Sequence, residues 1–221
     1  MKLVWKTAAV ALLCTLGAVA HAQPKELEGV KLVPTVQVGP ALLAFNGAGL
    51  RTRAFFKVYV AALYVPQTST DAQVLLADKG PRRMAITMLR DVDAATFAQA
   101  LTDGLRDNHT EAQLAAFKTQ TETLVTNLKL AGEARKGDAI HFEYTPELGT
   151  RVIVNGQARG NPIAGVEFFN AVLRVWLGDK PVDPALKKGL LGGGCPDGAD
   201  GPRLGLPHGW ARWVGLLVGA S

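Results

Sequence analysis

The side chains with the most chemistry to offer sit in one stretch, "NGAGLRTRAFFKVYVAALYV" at positions 46–65. Arg51 carries a permanent positive charge in a planar fork that matches a carboxylate. Gly47 and Gly49 come just before it; they allow a tight turn, and Gly49 permits close approach of a ligand to the backbone. From Arg51 to Val65 most residues are β-branched, aromatic or small, with no proline or glycine, which predicts a strand. Alternation then places Arg51, Arg53, Phe55, Lys57, Tyr59, Ala61 and Leu63 on one face. The opposite face, Ala54, Phe56, Val58, Val60, Ala62 and Tyr64, reads as the core face. The cationic and aromatic face has two readings: the wall of an amphipathic cleft covered by helices, or an edge strand with basic residues in water.

Other chemistry is sparse. His109, His141 and His208 lie far apart in sequence, with no cysteine or carboxylate at ligand spacing, so no metal site is expected. His141 falls in a strand and reads as a half-buried sheet residue. There is no G-x-S-x-G elbow and no P-loop, and "NGAGLR" lacks a dinucleotide-binding context. No cofactor is therefore expected. Cys195 sits in a glycine-rich stretch with nothing nearby to lower its pKa. Asp91 and Asp93 flank a strand-to-helix junction, where Asp93 serves as a helix cap.

The chain opens like a secretory leader. Lys2 and Lys6 form a basic start, Ala8 to Val19 an apolar run, and Ala20-His21-Ala22 a small-x-small cleavage site. Export, to the periplasm in a bacterium, is the expectation. Cleavage after residue 22 removes Cys14, so the mature chain has one cysteine and folds without an internal disulfide. The formal charge falls from +5 to +3 with loss of the two lysines, and the remaining basic residues are scattered, which does not describe a nucleic-acid surface. The expected organisation is a leader at 1–22, one domain at 23–191, and a Gly/Pro-rich tail at 192–221 that ends in "WARWVGLLVGAS". That dozen is too short to span a bilayer, and its tryptophans suit weak contact with a membrane surface.

The elements that must position Arg51 follow from periodicity. "TVQVG" (35–39), "ALLAFNG" (41–47), "RRMAITMLRDV" (82–92), "AIHFEYT" (139–145) and "TRVIVNG" (150–156) read as strands, with Asn155-Gly156 a hairpin turn. Asp93 caps a helix bearing Phe97, Leu101 and Leu105, which ends near Asp107-Asn108. Thr110 and Gln113 form a capping box for a longer helix with Leu114, Phe117, Leu124 and Leu128 on one stripe. A third helix carries Val166, Phe169, Leu173, Trp176 and Leu177 and stops at Gly178; Asp183-Pro184 starts a short last one. Six or so strands with grouped helices predict an α+β domain, a mainly antiparallel sheet with helices on one face.

"NGAGLR…KVYVAALYV" resembles the signature of the chalcone isomerase-like family, in its exported bacterial branch. "LRDVDAATFAQALTDGL", "KGDAIHFEYTPELGTRVIVNG" and "FFNAVLRVWLGDKPVDPALKKGLLG" add to the resemblance, in the family's order, from about Lys31 to Gly192. The resemblance implies an open-faced β-sandwich in which a large antiparallel sheet and a helical layer enclose a ligand cleft. It implies either an isomerase that cyclises chalcones, with Arg51 acting on the anionic substrate, or a non-catalytic relative that binds fatty acids. Tyr59 stands where the fatty-acid binders place the tyrosine that joins the arginine on a carboxylate. Phe97 stands where the enzymes place their catalytic tyrosine, and Gly104 where they place a cleft asparagine. The implied ligand is thus a small apolar or aromatic acid, with Arg51, Tyr59 and Phe97 as its contacts. A straight strand would hold Arg51 and Tyr59 roughly 26 Å apart, at about 3.3 Å per residue, so a shared site requires a bend near Phe55.

Overall fold

The computed structural model describes residues 25–193. The expected leader, and the expected tail beyond Gly193, lie outside the described residues. Two short strands, β1 (Lys25–Leu27) and β2 (Val30–Leu32), form a separate hairpin. Seven further strands make one sheet in sequence order: β3 (Thr35–Val38), β4 (Ala41–Arg53), β5 (Phe56–Val65), β6 (Arg82–Met88), β7 (Ala139–Thr145), β8 (Gly149–Val154) and β9 (Gln157–Ile163). Every pairing is antiparallel. The helices are α1 (Ala72–Ala77), α2 (Ala94–Asp107), α3 (Glu111–Ala116), α4 (Lys118–Ala131), α5 (Val166–Leu177) and α6 (Pro184–Lys188), which runs into a π-helical turn, Gly189–Gly193. The class is the expected α+β, with a large antiparallel sheet and its helices on one face.

The stretch read as one strand from Arg51 to Val65 is the tip of a hairpin. β4 runs out to Arg53, the chain reverses at Ala54-Phe55, and β5 returns, with Arg53 opposite Phe56. Ala54 adopts φ 53°, the left-handed region that a turn of this kind needs and that glycine or asparagine usually fills. Neither is present, so the sequence carried no turn signal there. Gly47 and Gly49, read as a turn, instead lie inside β4, paired with Leu63 and Ala61.

Both faces of β5 are buried, which corrects the assignment of a single core face. Tyr59, Ala61, Leu63 and Val65 join the main core beneath the helices, with Met84, Ile86, Phe142, Leu173 and Trp176. Val60, Ala62 and Tyr64 belong to a smaller cluster on the other face, where Leu32, Val38 and Leu43 cover them. Polar-looking residues 25–32 supply this outer cover, and their short hairpin turns at Glu28-Gly29, both at positive φ.

The helices begin largely where their caps predict. Asp93 accepts the Thr96 N–H at the start of α2, and Thr110 and Gln113 form the reciprocal capping box of α3. The long second helix is broken at Phe117, whose ring packs against the main core and meets Phe168 edge-on at 6.0 Å. The strand expected at 82–92 stops at Met88, and α1, only six residues long under its Asp71 cap, had no periodicity to announce it.

His141, on β7, faces the outer side in register with Ala85 and Ile153. Burial, with Arg83 adding to it, pushes its pKa down to about 4 from 6.5. The folded state thus binds fewer protons here than the unfolded chain, and stability complete above pH 6.5 is lost as pH falls toward 4. Asp93 and Asp138, both held below the ordinary carboxylate range by hydrogen bonds, lose their contribution only at lower pH. We expect urea unfolding to show a decline of about 3 kcal/mol across this window. His141→Gln should flatten the decline between pH 6.5 and 4.5; an unchanged slope would mean that other groups carry it.

Candidate functional site

The hairpin bend answers the question of distance. Arg51 on β4 and Tyr59 on β5 are direct cross-strand partners, so their side chains leave the sheet on the same, helix-covered face. Gly47 and Gly49 precede Arg51 on that face at two-residue steps, and together they make a strip with almost no side-chain volume. The last described segment of the chain lies on it. A Cβ at Gly47 would come within 2.6 Å of the Leu190 carbonyl oxygen, and one at Gly49 within 2.9 Å of the Leu186 Cα. Close approach is indeed what these glycines permit, and the approaching backbone is that of α6 and the π-helical turn.

Asn46 fixes the arrangement from the strand side. Its amide donates to the carbonyls of Leu190 (2.7 Å) and Ser69 (3.0 Å), and its side-chain oxygen accepts the Ser69 N–H. Asp183 fixes it from the other end. One carboxylate oxygen caps α6 by accepting the N–H groups of Ala185 and Leu186, while the other accepts the Thr52 N–H at 3.2 Å. The same second oxygen lies 3.5 Å from Arg51 Nη1. Arg51 also donates from Nη1 to the Thr52 carbonyl. Its guanidinium therefore already faces a carboxylate, at a single long contact without a bidentate fork.

Tyr59 is buried, and its hydroxyl accepts the indole N–H of Trp176 on α5 at 3.0 Å. Burial pushes the phenol up to about 12, against the opposing pull of the Trp176 hydrogen bond and Arg51, with Asp183 adding a smaller push. Tyr59 therefore stays protonated near neutral pH. It can give a hydrogen bond but has no phenolate to offer as a base. Trp176 itself packs on Phe142 at a centroid distance of 5.8 Å.

Phe97 does not join this pair. It is half-buried on α2 and lines a crevice of only about 10 Å³ with Leu128, Ala131, Ile140 and Val154. Gly104, further along α2, is where the helix meets α5: a Cβ there would come 2.6 Å from Val175. Arg53 is exposed near the hairpin tip, apart from the covered site.

A family model described as chalcone isomerase-like matches residues 24–192. The chain belongs to the chalcone isomerase-like family. A search of curated proteins finds no match. Among solved structures, the chain is similar to an Arabidopsis thaliana fatty-acid binding protein, at 12% identity and a TM-score of 0.56 over 74% of this chain and 92% of that one. At that identity the likeness is one of fold. Within this chalcone isomerase-like fold, Arg51 and Tyr59 share a location, whereas Phe97 occupies a crevice whose lining includes neither of them.

Sequence reasoning missed two members of the site's surroundings and one buried charge at the far end of β6. Trp176 was visible only as an apolar helix position and Asp183 only as a helix cap, because their second roles depend on long-range contact. Arg82 was hidden by the alternation of its own strand. It shares a face with Met84, Ile86 and Met88 and is fully buried, with its guanidinium 5.0 Å from the Phe169 ring and 5.6 Å from that of Tyr144. Arg82 donates to Asn170 and to the Leu75 and Gly80 carbonyls, and burial lowers its pKa to about 10 even though Asp78 opposes the shift. Among the described residues no cluster of histidine, cysteine or carboxylates is placed to hold a metal ion, and no helix is long and apolar enough to cross a membrane.

Two substitutions probe this packing. Tyr59→Phe removes the acceptor of the buried Trp176 N–H and should cost about 1–3 kcal/mol in urea unfolding. Gly47→Ala forces a methyl group against backbone that cannot swing aside, and should cost a similar amount, about 1–3 kcal/mol, by the same measurement. Unchanged stability in Gly47→Ala would show that the last segment does not rest on β4 in solution.

Proposed function

We propose that the protein is an exported, non-catalytic binder of a small apolar acid, held between the sheet and the helices. The observation that carries this reading is the cross-strand pairing of Arg51 with Tyr59 on the covered face, with a carboxylate already beside the arginine. Arg51 is the anion anchor, Tyr59 the neutral donor beside it, and Gly47 and Gly49 keep the strand free of side chains. The small apolar crevice at Phe97 lies farther across the same helix-covered face, under strands β7 and β8.

In the described state Asp183 stands where a ligand carboxylate would stand. The exchange is energetically modest. A single partly exposed ion pair of this kind contributes about 0–1 kcal/mol, and Asp183 keeps its capping bonds without it. A ligand carboxylate that engages the guanidinium fork gains charge-assisted bonds, and each methylene buried adds about 0.8 kcal/mol. The fatty-acid binding of the structurally similar plant protein supports the choice of ligand class. Export rests on the leader-like residues 1–22 and belongs to the same proposal.

The filled interface favours a second reading, a structural or partner-binding protein whose cleft is closed by Trp176 and its neighbours. Thermal unfolding with a series of fatty acids separates the two. At a hundredfold excess over Kd the binder gains about 2.7 kcal/mol, which is several degrees in Tm for a domain of this size. Arg51→Ala should abolish the shift. If no apolar or aromatic acid moves Tm at saturation, the structural reading replaces the binder. Acceleration of chalcone cyclisation above the spontaneous rate would instead make Arg51 the electrophilic group of an isomerase.

A further inference from the structure

The outer face of the sheet, away from the helices, holds a space of its own. Beneath the β1–β2 hairpin lies a cavity of about 200 Å³. Its apolar walls come from Val30 and Leu32 above and from Val60, Ala62 and Ala85 on the sheet below. Exposed Lys31 and Val33 form its rim. The space is open on one side and has room for a ligand of roughly six to eight carbons, by comparison with the benzene-sized molecule that an enclosed cavity of about 150 Å³ accepts.

The polar groups at this cavity are unbalanced in charge. Arg83 and His141 line it, with Tyr64 and Thr87, and no carboxylate is among the lining residues. Across the sheet, Tyr64, Arg83, Glu143 and Arg151 form one register row. Buried Glu143 pairs with both Arg83 and Arg151, so one carboxylate answers two guanidiniums. The Nε atoms of both arginines are buried without a partner. Arg83 spends another N–H on the Gln37 carbonyl. His141 remains neutral at neutral pH and adds no charge of its own. An apolar groove whose wall holds a guanidinium that shares its one carboxylate with a second arginine is complementary to a small hydrocarbon bearing one negative charge.

We propose that this outer cavity is a second binding site, which takes a small apolar monocarboxylate with its hydrocarbon against Val60, Ala62 and Ala85 and its charge toward Arg83. The site is independent of Arg51: it lies on the opposite face, and none of its lining residues is on β4.

The test uses the mature protein carrying Arg51→Ala, which disables the covered site, with phenylacetate and 2-phenylethanol as probes. Calorimetric titration should show saturable binding of one equivalent of the acid, about tenfold or more tighter than the alcohol, because the charge-assisted bonds to Arg83 are lost with the carboxylate. In NMR spectra the ring signals of His141 should shift on titration and those of His109 should not. Ala85→Leu, which fills the cavity, should abolish binding. Arg83→Gln should erase the preference for acid over alcohol, and it keeps the proposal testable if Ala85→Leu does not fold. The proposal fails if the Arg51→Ala protein binds no phenylacetate, if acid and alcohol bind equally, or if His141 is unmoved at saturation. Loss of the covered-site reading would leave these results unchanged, since Arg51 is absent from the experiment.

Discussion

The packing of residues 183–193 onto the bare strip of β4 is the contact on which the rest of the covered face depends. Gly47 and Gly49 admit backbone where every other residue would place a Cβ. Leu186 and Leu190, both buried, then reach the core from a segment with only one regular turn of helix to support it. The match is also one of spacing: strand positions 47, 49 and 51 are met in reverse order by 190, 186 and 183, because a two-residue strand step is close in length to one helical turn. Asp183 therefore arrives opposite Arg51 as a consequence of the glycine contact. The ion pair does not create that approach; it completes it.

Three arginines show how placement decides what one side chain does. Arg82 is enclosed between aromatic rings and carbonyls, and its charge is held by stacking and hydrogen bonds. Arg83, next in sequence, points to the other face and shares Glu143 with Arg151. Arg51 faces a single carboxylate at long range in a partly exposed position. Composition gives all three the same charge. The strand's alternation, its register and the element packed above each one give them different partners. Tyr59 illustrates the same point for a neutral group. The low-dielectric core that raises its pKa also makes it a dependable donor, and Trp176 holds its ring in place.

Much of the fold could be read from local pattern. Caps at Asp93, Thr110 and Asp183, the Asn155-Gly156 turn and the alternation of residues 82–88 each reflect interactions within a few residues, and each appears in the structure. Local pattern failed where no local residue marked the event. The reversal at Ala54-Phe55 lacks turn residues, α1 is too short for a period, and the break at Phe117 falls where its ring meets Phe168 of another helix.

The sequence by itself determined the composition of the site: a permanent cation, a tyrosine eight residues later, and two glycines beside them, with helices able to cover one face of an antiparallel sheet. Only the tertiary structure decided that Arg51 and Tyr59 stand side by side, that the glycines receive the chain's own backbone, and that Asp183 and Trp176 complete the pair. It also decided that the outer face holds a basic, apolar cavity. The physical reason is that side-chain chemistry and short-range periodicity are written residue by residue. Cross-strand register joins residues of separate strands, and the docking of residues 183–193 brings together positions more than a hundred apart; nothing in either stretch alone encodes that meeting.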